Sequence, residues 1–241
     1  MVTTDAGSAH NQILDRAGEL IAEAFGLAER IAAIVTESFA THEVVRRTDL
    51  SRVGSLVMPV LKDRDCRLQG AGFVAAVDAL ADSRWWLEWF MRAASGAPER
   101  LLVDTDPRGE NFYDYVAMPW YHVPRDTGRR HITGPYVDYL CTDDYTLTFT
   151  VPVTHDGRFV GVAGADVRVL TFEQAVMPSL RSGPKGTAMV NAQGRVVLSN
   201  SARHVSGTLI RDPDVAGLWA TGDPRLHRID DLPLALVDLA L

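Results

Sequence analysis

Residues 146–167 read TLTFTVPVTHDGRFVGVAGADV, and this stretch decides the class of fold. Residues Thr146–Val153 alternate between polar and apolar, Thr154–Gly157 end in Asp-Gly, and Arg158–Val167 are again mainly apolar. Alternation with a period of two predicts a strand, and Asp-Gly is a preferred turn between paired strands. The stretch therefore predicts an antiparallel hairpin.

Helices precede this hairpin and alternate with shorter strands around it. Apolar residues recur every three or four positions over Asn11–Ala40, which predicts a long amphipathic helix after a loose tail at residues 1–11. Its excess length suits either self-association or packing along a two-lobed body. A second helix is predicted over Asp49–Leu61, with Thr48 as its N-cap. The remaining predicted elements are strands at Leu68–Val77, Arg84–Met91 and Leu101–Asp104, helices at Glu110–Tyr121 and Leu170–Leu180, a second hairpin turning at Asn191–Gly194, and a final core strand or docking segment at Leu232–Leu241.

This order predicts an α+β fold with antiparallel sheets. The chain has 241 residues, 46% hydrophobic and 23% charged, as expected for a globular protein with a real core. A net charge of −7 without a basic run argues against a nucleic-acid partner. No apolar stretch reaches bilayer length and no export leader is present, so we expect a cytoplasmic protein without membrane contact, with Cys66 and Cys141 as reduced thiols.

Three patterns that suggest chemistry fail on context. Gly70–Ala75 fits the dinucleotide pattern G-x-G-x-x-A, but a strand continues through it, so we interpret its small residues as sites of close backbone approach. Gly183–Thr187 lacks the spacing of a phosphate loop. None of the seven histidines pairs with another His or Cys at metal-ligand spacing. The sequence thus predicts neither a cofactor nor a metal.

Aromatic residues and carboxylates are concentrated in residues 112–167. Asp138 and Asp166 stand beside apolar strand residues, where a lone buried carboxylate is costly. A ligand cation held by carboxylates and aromatic faces is one partner for them. The alternative is pairing with backbone amides or with Arg125, Arg129 or Arg130.

A second aromatic segment, SRWWLEWF, ends at Phe90. As a strand it would place Trp85, Leu87 and Trp89 on one face and Trp86, Glu88 and Phe90 on the other. Trp89 then belongs either to an aromatic core or to the wall of a pocket.

Trp120-Tyr121, GPYVDY at 134–139, TFTVPV at 148–153 and GVAGADV at 161–167 resemble the signature of Cache sensor domains. The resemblance implies a long N-terminal helix (1–45), a first PAS-like ligand-binding module (46–175) and a second, shortened PAS-like module (176–241). It also implies a ligand pocket lined by Tyr113, Trp120, Tyr136, Asp138 and Asp166. We add Trp89, from the aromatic segment, and Tyr121, beside Trp120, as further candidates for the pocket wall.

Met118 stands where the amino-acid-binding branch of that family has an Arg for the ligand carboxylate. This departure favours an amine or quaternary ammonium, although Arg125 or Arg129 could replace the Arg for an amino acid. We therefore expect a soluble, non-catalytic small-molecule sensor for signal transduction or transcriptional control, acting through a homodimer of the N-terminal helix or a separate regulatory protein.

Two other functions stay open. One is an enzyme on a PAS-like scaffold, with Asp138 or Asp166 as general base and Tyr136 as acid. The other is a structural dimerisation module whose pocket is vestigial.

Overall fold

A computed structural model describes residues 3–93, 95–139 and 144–239, and side chains from Gly7 onward. The helices are α1 (Thr3–Thr41), α2 (Ser51–Lys62), α3 (Pro119–Thr127), α4 (Val169–Ser182) and α5 (Val215–Thr221). Short 3₁₀ turns lie at Arg47–Leu50 and Tyr115–Ala117. The strands are β1 (Gly70–Ala75), β2 (Leu87–Arg92), β3 (Pro98–Arg100), β4 (His131–Val137), β5 (Tyr145–His155), β6 (Arg158–Arg168), β7 (Thr187–Asn191), β8 (Val196–Ser199), β9 (Leu226–Arg228) and β10 (Leu234–Asp238).

The strands form two sheets, with orders β3-β2-β1-β6-β5-β4 and β8-β7-β10-β9. In the first sheet β1 pairs antiparallel with β2 and β6, and in the second β10 pairs antiparallel with β7 and β9. A mixed fold of helices and antiparallel sheet behind a long N-terminal helix is therefore confirmed.

The contacts within the chain define two compact units. Unit one contains the residues up to Ala22, residues 132–147 and residues from 168 onward, and unit two contains residues 23–131 and 148–167. The core of unit one is aliphatic, drawn from α5 and the second sheet; its members include Val190, Val196, Val215, Leu226 and Val237. The predicted module boundaries at 45/46 and 175/176 stay a prediction.

In unit two the first sheet has two chemically different faces. On one face Phe25 of α1 packs edge-on against Phe149 of β5, with ring centroids 5.4 Å apart. On the same side, Phe90 of β2 meets α2 at Gly54, where a methyl group would lie 2.7 Å from the Phe90 ring. This apolar face forms the core, which leaves the opposite face for the candidate site.

The predicted hairpin is confirmed as β5 and β6, and Asp156 and Gly157 at its turn both have positive φ. The loose tail is wrong, because α1 already begins at Thr3, and His10 within it is 4% exposed. A long helix propagates through residues of modest propensity once it is nucleated, so the loss of apolar periodicity does not end it.

Three further local predictions are wrong. Thr48 is not an N-cap: a 3₁₀ turn precedes α2, and the Arg46 N–H donates to the Asp49 carboxylate at 2.8 Å. Residues Leu101–Asp104 form no strand; the edge strand is Pro98–Arg100 instead. The helix predicted at Glu110–Tyr121 is α3, which begins at Pro119, a residue suited to the first helical position because it needs no N–H partner there.

Cys66 is a free thiol, whereas Cys141 lies outside the described residues.

Candidate ligand-binding site

The face of the first sheet opposite the aromatic core has a floor of glycine. Gly70 and Gly72 of β1 stand directly opposite Asp166 and Gly164 of β6, and Gly72 also faces Trp89 of β2. A methyl group at Gly72 would lie 2.3 Å from the Glu88 carbonyl oxygen. The glycines of the pattern over residues 70–75 thus allow close approach of a neighbouring strand, as the sequence indicated.

The indole of Trp89 lies across this floor. Its Nε1 is 3.1 Å from the position of a methyl group at Gly70, and its Cη2 is 3.3 Å from one at Gly164. Because glycine fills neither position, the ring can lie flat against the backbone of β1 and β6. Trp89 therefore occupies space on the sheet that ordinary side chains would have taken.

The Asp166 side chain on β6 also lies close to Gly70. Its Oδ2 lies 3.5 Å from the methyl position at Gly70, so one small region is bordered by a carboxylate oxygen and an indole N–H. Asp166 is 5% exposed, and its Oδ1 accepts a 2.7 Å hydrogen bond from the Thr148 hydroxyl. Burial of an ionised carboxylate needs such donors.

Two further polar atoms beside this floor are buried without satisfied hydrogen bonds. Nε1 of Trp89 and Oγ1 of Thr150 have no hydrogen-bond partner among the described residues. The methyl of Thr150 lies 2.9 Å from the methyl position at Gly164, so this hydroxyl belongs to the same floor. A buried donor without a partner costs about 1–3 kcal/mol, and a ligand acceptor would recover that free energy.

The segment before and within α3 forms an aromatic cluster. Tyr115 is fully buried, donates to the Ala75 carbonyl at 2.9 Å and accepts from the Trp86 N–H at 3.2 Å. Tyr121 packs against Tyr115, Trp120 and Phe159, with ring centroids 5.3–6.2 Å apart. Burial raises the pKa of Tyr121 to about 12, despite Arg125 and the backbone at Val77 acting in the opposite direction. These contacts give both tyrosines a packing role.

The other candidates lie in different parts of the chain. Tyr113 is half-buried, and its N–H donates to the Asp104 carbonyl at 2.9 Å. Met118 is the half-buried N-cap of α3, and Trp120 in the first turn is 8% exposed. Tyr136 and Asp138 belong to unit one, whereas the remaining candidates belong to unit two. A pocket shared by all eight residues stays a prediction.

The arginine suggested as a substitute for carboxylate binding is occupied elsewhere. Arg125 donates to both oxygens of Asp126 at 2.7 and 3.2 Å, and its guanidinium lies 5.9 Å from the Tyr121 ring centroid. Arg129 is exposed. Sequence reasoning named Trp89 and Asp166 but did not place Gly70, Thr148 or Thr150 in the site. The available signal was strand alternation, which puts Thr148 and Thr150 on the same face of β5.

Comparison with known proteins shows what the chain is similar to. A family model described as "Methyl-accepting chemotaxis protein-like, first PDC sensor domain" matches residues 101–174, which include the aromatic segment and the hairpin. Methyl-accepting chemotaxis protein McpA of Pseudomonas putida is 27% identical over 149 residues, covering 61% of this chain and 23% of McpA. The chain thus spans about a quarter of the curated relative it matches.

Solved structures show the same fold over nearly the whole chain. "Methyl-accepting Chemotaxis protein X" superposes with a TM-score of 0.68 at 17% identity, covering 98% of this chain and 95% of that one. The extracellular domain of the putative histidine kinase mmHK1S-Z3 gives 0.63 at 13% identity, covering 97% and 90%. The ligand-binding domain of the Pseudomonas aeruginosa PAO1 amino-acid chemoreceptor PctC, in complex with GABA, gives 0.56 at 20% identity, covering 95% of each chain. These structures show the fold alone, while the family-model match over residues 101–174 supports a sensor domain of the Cache or PDC type.

The predicted cytoplasmic location is wrong, because the matched proteins are chemoreceptor sensor domains and extracellular domains of histidine kinases. That prediction depended on the lack of an export leader and of a long apolar segment in the sequence. Neither absence determines the compartment in which the domain acts. Among the described helices, none has both the length and the apolar character needed to cross a bilayer.

Proposed function

We propose that the chain senses a small molecule on the glycine floor of the first sheet and passes its occupancy to a signalling partner. The observation that carries this proposal is the convergence of Trp89 Nε1 and Asp166 Oδ2 on the space beside Gly70. Ligand-binding sensor domains among the matched proteins support the same general function.

The chemistry of the two groups restricts the ligand. A buried carboxylate at Asp166 favours a cationic nitrogen, and the indole N–H of Trp89 requires a hydrogen-bond acceptor. The ligand we propose therefore carries both an amine or quaternary ammonium and an oxygen acceptor, as an amino acid, a betaine or an amino-acid-like metabolite does. GABA, the ligand of PctC, has this combination.

Several finer features belong to the same proposal. They are the double-module Cache architecture, the participation of Tyr136 and Asp138, a homodimer through α1, and coupling to a separate regulatory protein. The apolar stripe of α1 is buried within the chain from Ile13 to Val35, so a dimer through α1 would use its polar side.

The test is a thermal-shift screen of amino acids, betaines and simple amines, followed by calorimetric titration of any hit. A ligand at 100 times its dissociation constant adds about 2.7 kcal/mol to the free energy of unfolding. We expect Trp89→Phe to weaken the hit about tenfold or more, because it keeps the ring and removes the N–H, and Asp166→Asn to weaken it further.

Trp86→Phe is the matched control. Nε1 of Trp86 donates to Glu88 at 3.1 Å, so this change removes an indole N–H from a satisfied bond outside the floor. We expect it to lower stability and to leave affinity unchanged. Equal losses of affinity in Trp86→Phe and Trp89→Phe would contradict the proposed site.

The enzyme alternative needs the same hit to be consumed. Mass spectrometry of the ligand after prolonged incubation separates the two functions, since a sensor returns the ligand unaltered. Absence of any hit from the broad panel would instead favour a structural module.

A further inference from the structure

Two histidines and an aspartate far apart in the sequence meet in unit one. His10 lies on α1, His227 on the three-residue edge strand β9, and Asp238 at the end of β10. One ligand atom from each lies within 4.8 Å of the others. The His10 and His227 rings have centroids 4.2 Å apart and are tilted by 35°, and His10 Nε2 is 3.1 Å from Asp238 Oδ1.

We propose that His10, His227 and Asp238 form a binding site for a divalent transition-metal ion, with Zn²⁺ the best match. Two imidazole nitrogens and one carboxylate oxygen are a donor set that Zn²⁺ binds in proteins, with water able to complete the coordination. The ion would compensate the negative charge of Asp238 and use both imidazoles in their neutral form.

The geometry requires only a small contraction. Zn²⁺ holds nitrogen and oxygen ligands at about 2.0–2.2 Å, which places tetrahedral ligand atoms about 3.4 Å apart. His227 and Asp238 can close the difference, because β9 is a sheet edge and the Asp238 side chain is 47% exposed. His10 is the fixed member, since its side chain is only 5% exposed.

The surroundings of the cluster favour ligation. The Thr187 hydroxyl donates to Asp238 Oδ1 at 2.6 Å and so orients the carboxylate, as outer-shell groups do around metals.

A metal here would connect the first helix to the last strand. His10 and Asp238 are 228 positions apart, and coordination to one ion would join them, together with His227, in place of the existing hydrogen bond between His10 Nε2 and Asp238 Oδ1. The expected result is stabilisation of unit one, independent of any ligand on the glycine floor.

The experiment uses untagged protein dialysed against a chelator and titrated with ZnCl₂ by calorimetry, and with CoCl₂ followed by visible absorption. We expect one ion per chain, a Co²⁺ d–d band of a four- or five-coordinate site, and a rise in Tm of about 5 °C or more at 100 times the dissociation constant. His227→Ala and Asp238→Asn should each weaken Zn²⁺ binding about 10-fold or more, a loss that even outer-shell changes produce.

His204→Ala is the control, because His204 is a partly buried histidine of the same unit outside the cluster. Both cluster positions are accessible enough that their variants should fold without metal, which circular dichroism checks. No Zn²⁺ or Co²⁺ binding by the parent protein would overturn the proposal. So would binding that persists unchanged in His227→Ala and Asp238→Asn, because the ion would then lie elsewhere.

Discussion

His131, the first residue of β4, is a histidine that folding keeps neutral. Burial lowers its pKa to about 4, and the nearby His122 acts in the same direction. The imidazole of His131 is therefore protonated near pH 6.5 in the unfolded chain but only near pH 4 in the folded chain. Above pH 6.5 the residue contributes no pH dependence, and below it the free energy of unfolding falls as pH falls.

We expect His131→Gln to remove part of this acid sensitivity. Each pH unit between 6.5 and 4 lowers the free energy of unfolding by at most about 1.4 kcal/mol. Because His131 is only partly buried, we expect a total effect of about 2 kcal/mol between pH 7 and pH 4.5. Urea unfolding at pH 7 and pH 4.5 measures it. The stability difference between the two pH values should shrink in the variant, while an unchanged difference would show that other groups dominate.

Gly70 and Gly72 are adjacent members of one floor with different expected roles. A methyl group at Gly72 would clash with the backbone of β2, 2.3 Å from the Glu88 carbonyl oxygen and 2.6 Å from the Cα of Trp89. Gly72→Ala should therefore destabilise the protein by about 3 kcal/mol, as overpacking against backbone does.

At Gly70 the nearest atoms are 3.0 Å away or more, and they include Trp89 Nε1 and Asp166 Oδ2. Gly70→Ala should therefore cost less stability than Gly72→Ala but weaken the small-molecule hit. Chemical unfolding and calorimetry separate the two effects. Equal destabilisation by both variants would mean that the floor at Gly70 is packing space alone.

The candidate site was only partly predictable at this scale. Asp166 and Trp89 could be named, because a carboxylate in an apolar strand and a cluster of tryptophans are visible in the sequence. Their approach beside Gly70 could not, because it depends on the register of β1 against both β2 and β6.

At the scale of elements, α1 shows how far periodicity reaches. Its apolar stripe predicted the helix body correctly, since one face had to be buried. Its true start at Thr3 lies outside that stripe, in a segment where His10 contacts Asp238, 228 positions away. The predicted starts of α2 and α3 were likewise wrong, because a 3₁₀ turn precedes α2 and because α3 begins at Pro119.

Two glycines inside α1 give a test of helix propensity. A methyl group at Gly18 or Gly26 would have nothing within 4 Å, and both positions lie in the helix interior. Alanine loses less backbone entropy than glycine in a helix, so each Gly→Ala change should stabilise the protein by about 0.5–1 kcal/mol. Thermal and urea unfolding measure the gain; a loss of stability at either position would indicate a required close contact there.

On the scale of the whole molecule, the two proposed sites act on different units. The glycine floor belongs to unit two, and the His10, His227 and Asp238 cluster belongs to unit one. In hydrogen-exchange experiments with one ligand added at a time, the small molecule should therefore protect amides of unit two, and the metal ion should protect amides of unit one. The sequence-based cytoplasmic assignment was wrong at this scale, because the residues that fold a domain do not specify the compartment in which it acts.

The sequence by itself determined the α+β class, the long amphipathic helix and the central hairpin. These follow from local periodicity and turn chemistry, which act between residues close in the chain. Tertiary structure alone decided that Gly70, Trp89 and Asp166 border one space, and that His10 meets His227 and Asp238. Such meetings depend on strand order and on helix docking between distant segments, and no spacing along the chain encodes them.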